Sequence, residues 1–220
     1  LYINNKNGTF TNKAGEYGVG DEGFSMCAYF NDLDGDSDLD LLVLNHPYNL
    51  NFAKTIHLTY NKKGQLEAVR DKPAPYESDQ YYENVNGKFV NKTAQAGLAT
   101  RSFGLSAILE DFNGDGKIDI YQANDYLEPD YLFINKGGGK FVNEFEKYFR
   151  HGSYSSMGSD YADINNDGFS DLMTVDMLPE GNYRQKQLRR GNNYDEFEKV
   201  VKYGFGYQYV KNVLQLNNGN

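Results

Sequence analysis

The same nine-residue acidic window occurs three times in this chain, each copy with side-chain oxygen at positions 1, 3, 5 and 9. The copies are Asp32-Leu-Asp34-Gly-Asp36-Ser-Asp38-Leu-Asp40, Asp111-Phe-Asn113-Gly-Asp115-Gly-Lys117-Ile-Asp119 and Asp163-Ile-Asn165-Asn-Asp167-Gly-Phe169-Ser-Asp171. Position 7 is Asp38, Lys117 or Phe169, and neither Lys nor Phe has a side-chain oxygen, so this position is expected to contribute its backbone carbonyl. Such a set suits a hard cation that takes six or seven oxygens. Ca²⁺ fits better than Mg²⁺, which keeps more of its water.

EF-hand and dockerin-type loops share the spacing of positions 1, 3, 5 and 7 but close with an acid at position 12, which here is Val43, Gln122 or Thr174. The flanks read as strands, so the acid at position 9 is expected to close the site. Thrombospondin-type calcium repeats would bring cysteines, and this chain has one, Cys27. The alternative to a metal loop is a plain acidic turn. Three copies in register argue against it, because carboxylates this close repel one another and need a cation to stay ordered.

The windows belong to a larger repeat. A header that reads as strand, Asn/Gly turn and second strand spans residues 1–10, 81–89 and 131–141, and a fourth begins at 213–220. Asn and Gly tolerate the positive φ of tight hairpin turns. Small residues precede each window: Ser25, Cys27 and Ala28 align with Gly104, Ser106 and Ala107, and with Ser156, Gly158 and Ser159. Cys27 is therefore expected to be a packed small residue. A β-type run follows each window, at 39–44, 118–123 and 170–175. Each repeat thus predicts four strands, the content of one β-propeller blade. The expected fold is all-β: one segment over residues 1–220 of about three blades, with calcium loops and one helical insertion. Three blades cannot close a ring, so the remaining blades of the same polypeptide are expected partners.

Headers lie 80, 50 and about 82 residues apart, which assigns insertions to roughly 46–78 and 176–212. The first predicts an extra hairpin across Asn61-Lys-Lys-Gly64. The second predicts a helix over 193–203, with Tyr194, Phe197, Val200 and Val201 on one face and Gly204 as its stop. Arg184, Lys186, Arg189 and Arg190 form a basic cluster that reads as a solvated face or a docking patch.

A net charge of −9 disfavours nucleic acid. Eleven acids lie in the three windows, and about three bound Ca²⁺ would bring that charge to −3. No apolar run approaches the length of a membrane-spanning helix. The chain begins at Leu1 without a leader pattern, so a secretion signal is expected outside it. His46, His57 and His151 have no nucleophile at a recognisable motif, and Gly137-Gly-Gly139 sits where other headers turn rather than in a phosphate loop. No catalytic constellation is found.

At these residues the chain resembles the FG-GAP or VCBS repeats, the blades of the integrin α-subunit propeller and of many bacterial surface proteins. The D-x-[DN]-x-D-G-x-x-D signature is met at Asp111 and Asp163, while the first window has Ser37 where Gly is usual. The stretches 176–186 and 207–218 resemble VCBS-repeat proteins of Bacteroidota-type bacteria, the group that includes ASPIC/UnbV proteins and the cartilage acidic proteins of animals. The resemblance implies a propeller of about seven blades outside the cell, commonly on an outer-membrane lipoprotein. The leading expectation is a calcium-stabilised module that binds a protein or glycan at the cell surface through its insertions. The alternatives are an accessory subunit of an outer-membrane uptake or secretion complex and a calcium-dependent enzyme acting on polysaccharides.

Overall fold

A computed structural model describes residues 1–51, 55–69, 73–188 and 194–219. Strands dominate it. A first hairpin, β1 (Tyr2–Asn4) and β2 (Phe10–Asn12), leads through a helical turn α1 (Ala14–Tyr17) to β3 (Phe24–Asn31) and β4 (Asp40–His46). A small hairpin, β5 (Leu58–Tyr60) and β6 (Leu66–Ala68), precedes β7 (Gln80–Val85) and β8 (Lys88–Asn91). The second repeat has α2 (Thr93–Ala96), β9 (Gly104–Glu110), β10 (Asp119–Asn124), β11 (Tyr131–Asn135) and β12 (Phe141–Asn143). The third has α3 (Phe145–Tyr148), β13 (Gly152–Ser153), β14 (Gly158–Ala162) and β15 (Asp171–Val175). It continues with α4 (Asn182–Leu188), α5 (Tyr194–Lys202), β16 (Gln208–Tyr209) and β17 (Val213–Gln215).

Two four-stranded antiparallel sheets result, in the orders β3-β4-β7-β8 and β9-β10-β11-β12, and a three-stranded sheet β14-β15-β17 repeats the pattern. Header turns work as the sequence predicts: Asn86 and Gly87 take φ of 56° and 79°, the left-handed pair that a tight hairpin demands. No closed ring of sheets forms among the described residues.

The sheets stack face to face, and the middle one is buried on both sides. Along β10 and β11, Ile120, Tyr131 and Phe133 pack toward the first sheet with Leu33, Leu42, Leu44 and Tyr81. The alternate residues Tyr121, Leu132 and Ile134 pack toward the third sheet with Leu172. This explains why the central strands read as continuous apolar runs rather than as alternating ones. Small residues let the first strands of the sheets approach: Ser106 Oγ meets Ser159 Oγ at 2.8 Å, and Cys27 Sγ donates to Leu105 O at 3.4 Å. Cys27 is half-buried against this core, in keeping with its expected packing role.

The three short helical turns were not expected from the sequence. Each follows an asparagine whose Oδ1 accepts the N–H two residues on, from Ala14 to Asn12, Thr93 to Asn91 and Phe145 to Asn143, at 3.1 Å each. Two of them end on a left-handed glycine, Gly18 and Gly97, both at φ 85°. A Cβ on Gly97 would lie 2.6 Å from Phe141 O, and one on Gly18 would lie 2.4 Å from Phe89 O. Conformation and close approach both require glycine there.

Both insertions are structured where they are described. The expected hairpin is β5–β6, with Gly64 at φ 75° in its turn. The expected helix is α5, stopped by Gly204 at φ 80°. Of its predicted face, Val200 is buried and Phe197 and Val201 are half-buried, but Tyr194 is 70% exposed, because it lies at the end of the helix away from the core. Arg184 and Lys186 lie on α4, whereas Arg189, Arg190 and Asn193 fall outside the described residues.

Gly97→Ala is expected to lower stability by roughly 2–3 kcal/mol, because it combines a disfavoured φ with a backbone clash. Gly15→Ala, in α1 with open space around it, should instead be neutral or stabilising by up to about 1 kcal/mol. Denaturant unfolding of both variants checks the pair, and equal effects would contradict the packing described.

Candidate metal centre

Each acidic window links the first strand of a sheet to its central strand, and the three windows share one hydrogen-bond pattern. The position-1 carboxylate accepts backbone N–H groups from positions 5 and 6: Asp32 from Asp36 and Ser37, Asp111 from Asp115 and Gly116, Asp163 from Asp167 and Gly168, at 2.7–3.1 Å. Position 3 accepts from position 5, where Asp34, Asn113 and Asn165 take the N–H of Asp36, Asp115 and Asp167. Position 5 in turn accepts from position 7, through the N–H groups of Asp38, Lys117 and Phe169. These bonds coil the chain around the position-1 carboxylate.

Coiling requires positive φ at positions 4 and 6. Gly35, Gly114 and Asn166 supply the first at 86°, 72° and 59°. Ser37, Gly116 and Gly168 supply the second at 76°, 82° and 90°. Ser37 therefore adopts the glycine conformation, at a cost of about 1–2 kcal/mol, and the loop keeps its shape despite the departure from the signature.

Position 9 has a different role. Asp40, Asp119 and Asp171 are each about 1% exposed or less. One oxygen of each accepts the N–H of position 2, from Leu33, Phe112 and Ile164. The other accepts the N–H of the next header's asparagine, from Asn84, Asn135 and Asn217, at 2.8–2.9 Å. The side chains of Asn135 and Asn217 reach back to the neighbouring sheet's window, donating to Leu33 O and Phe112 O. The windows are thus part of the contact between sheets as well as loops at their ends.

In the first window ligand atoms of Asp32, Asp34 and Asp40 lie within 4.8 Å of one another. Asp38 adds a buried Oδ1 that has no hydrogen-bond partner. Burial and the charges of Asp40, Asp36 and Glu83 push the Asp34 carboxyl up, and desolvation with Asp36, Asp34, Asp32 and Glu83 does the same to Asp38. Glu83, on β7, is an acid that the window pattern did not reveal. It stands directly before Asn84, where the other repeats have Ile134 and Leu216, so only the fold brings it near the first window.

In the second window burial raises Asp119 to about 6, and the charges of Asp115 and Asp111 add to the shift. Asp115 goes the other way, held below the usual carboxylate range by Lys117 Nζ at 2.9 Å. In the third window the Asn165 amide donates to Asp167 Oδ2 at 2.8 Å. The first window could hold one divalent cation: its donors are all oxygens, and one of them is a carboxylate oxygen without a hydrogen-bond partner.

A family model described as an FG-GAP-like repeat matches residues 111–174. That stretch is similar to an FG-GAP-like repeat. It runs from the first acid of the second window to β15, and so includes the second and third windows complete. FG-GAP repeats point to β-propellers and are typical of extracellular proteins. No curated protein matches the chain. No helix among the described residues is long and apolar enough to cross a membrane.

Three buried acids set a pH dependence. Burial raises Asp119 and Asp130 to about 6 and Asp79 to about 7, all from a usual 3.8. A raised carboxyl means that the folded chain holds more protons than the unfolded one. These groups favour the fold below pH 3.8 and lose that contribution as pH rises through their folded values of about 6 to 7. In chelator, melting temperature should therefore fall between about pH 5 and pH 7.5, and Asp79→Asn should flatten the fall. A rise over that window would contradict these protonation states.

Proposed function

We propose that the chain is part of an extracellular calcium-binding β-propeller, with each four-stranded sheet a blade and about three Ca²⁺ held by the acidic windows. Its inserted segments bind a protein or glycan ligand at the cell surface. The observation that carries the metal reading is the identical coiling of three windows that differ in sequence. The donors would be the side chains of Asp32, Asp34, Asp36 and Asp40, with Asp38, then those of Asp111, Asn113, Asp115 and Asp119, then those of Asp163, Asn165, Asp167 and Asp171. The backbone carbonyls of Lys117 and Phe169 complete the second and third sets. A cation there offsets the burial and the mutual repulsion that raise Asp34, Asp38 and Asp119. In the second window Lys117 would release Asp115 to the metal.

The ligand face would lie at the opposite end of the sheets. The windows precede the central strands and both insertions follow them; a seven-residue strand such as β4 separates the two ends by roughly 20 Å. Leu127, from the short connection of the middle repeat, joins Val200, Tyr203 and Phe205 of the second insertion with Ile56 and Ala68 of the first in one apolar cluster. The insertions therefore form a single cap. Tyr48, Tyr60, Tyr76, Tyr183, Tyr194 and Tyr207 on these segments are 46–76% exposed, and tyrosine is a residue that binding surfaces favour. The distance between cap and windows supports a structural metal.

Calcium titration by calorimetry is expected to give about three sites from this segment, with a higher melting temperature in calcium than in chelator. Position 5 is exposed in all three windows, so Asp36→Ala, Asp115→Ala and Asp167→Ala together should abolish binding without emptying a core. Binding that leaves the melting temperature unchanged would reject the structural role, and absence of binding would reject the metal.

A further inference from the structure

The cap contains a small aromatic pocket that neither the windows nor the repeat accounts for. It has a volume of about 240 Å³ and is walled by Tyr154, Tyr194, Phe197 and Tyr209, with Glu196 and Gln208 as its polar members. Its walls come from three separate segments: the stretch between β13 and β14, helix α5 and strand β16. The backbone ties them together, because Tyr154 donates its N–H to Tyr209 O at 3.0 Å. Phe197 and Tyr209 stack with centroids 5.7 Å apart and planes 28° apart, and Tyr207 continues the cluster 6.2 Å from Phe197.

We infer that this pocket is an aromatic cage for a quaternary ammonium group of the choline type. Ring faces are electron-rich, and a cation set against several of them is attracted by their quadrupoles. The polar members have the matching sign. Among the described residues, Glu196 is the charged member of the wall. Gln208, 5% exposed, donates its amide to Leu127 O and Phe205 O, which leaves its buried Oε1 without a donor. Burial, and then the charges of Glu196 and Asp125, raise the Tyr154 hydroxyl. The Lys211 ammonium lies over the Tyr209 ring, 5.3 Å from its centroid, and offsets part of the negative charge of Glu196.

The choice of a quaternary over a primary ammonium follows from the scarcity of acceptors. A primary ammonium is strongly hydrated and needs three acceptors to replace its water. A quaternary one has no N–H to satisfy and loses little on entering a wall that is mostly ring. The volume suits one such head group and excludes an oligosaccharide.

The inference rests on the cap being a ligand face, but not on the metal. Its test uses the full chain in calcium, with binding followed by NMR shifts of the aromatic resonances. Choline is expected to bind, and 3,3-dimethylbutan-1-ol, its uncharged isostere, to bind at least about tenfold more weakly. Phe197→Leu and Glu196→Gln should each weaken choline by about three- to tenfold, with circular dichroism confirming an unchanged fold. Equal binding of the isostere would reduce the site to an apolar hole, and butylamine binding as tightly as choline would remove the quaternary preference. No shift up to roughly 50 mM choline would overturn the cage. If calcium titration still gave three sites, that failure would leave the metal reading intact.

Discussion

The buried aspartate at position 9 of each window is the constraint on which the rest of the architecture depends. Asp40, Asp119 and Asp171 open the central strands and sit at the junction of loop, strand and next hairpin. Each holds two backbone N–H groups, one from its own loop and one from the asparagine of the following header. A second clamp works at the other end of the same strands. Asn45, Asn124 and Asp176 donate their N–H to Asp79, Asp130 and Asn212, so each central strand is fixed to the next hairpin at both ends. A slip of one residue would break both clamps and turn every core side chain to the other face.

Magnitudes indicate what the clamps contribute. A hydrogen bond to a charged group gives about 1.5–3 kcal/mol, while burying a carboxylate costs several kcal/mol. The upward shifts of Asp40 and Asp119 despite two or more hydrogen bonds mean that burial outweighs the bonds. These acids therefore specify register more than they add stability. The same imbalance gives a cation its leverage. Asp40 belongs both to the clamp and to the converging group with Asp32 and Asp34, so a charge placed in the loop would relieve a penalty carried by the joint between strands. The second clamps reach further: Asp79 also accepts from Ser102 and Gln122 of the second sheet, and Asp130 from Tyr121 and from Ser156 of the third repeat. Buried charge recurs wherever one sheet meets the next.

Much of this was legible because the signals repeat. Three windows, aligned small residues and the later headers located the strands of the three larger sheets, although the third has three strands where four were expected and the first header pairs only with itself; the hairpin at 58–68 and helix α5 followed from turn chemistry and periodicity. What escaped notice was of two kinds. The helical turns are four residues long, too short for periodicity, and their asparagine starts carry meaning only once aligned across repeats. Glu83, the Asp79 and Asp130 clamps and the meeting of the insertions depend on residues distant in sequence and near in space. Position 9 was read as a metal ligand from its acidity. Its two backbone bonds could not be read, because an acid that closes a site and an acid that fastens a strand look alike in one dimension.

The compact middle repeat gives this segment its asymmetry. Its connection from β10 to β11 is short and buries Leu127 and Asp130, while the repeats on either side extend their equivalents into the two insertions. Had the middle repeat carried a comparable excursion, it would stand between the other two and each would need its own core. Because it does not, segments more than 130 residues apart, at Ile56 and at Val200, close over a single leucine. Neither insertion has enough apolar surface to order itself alone, since an isolated two-stranded hairpin or a nine-residue helix is marginal in water. Together, on a sheet already held in register by its buried aspartates, they make a cap whose tyrosines can be presented outward without collapsing onto one another.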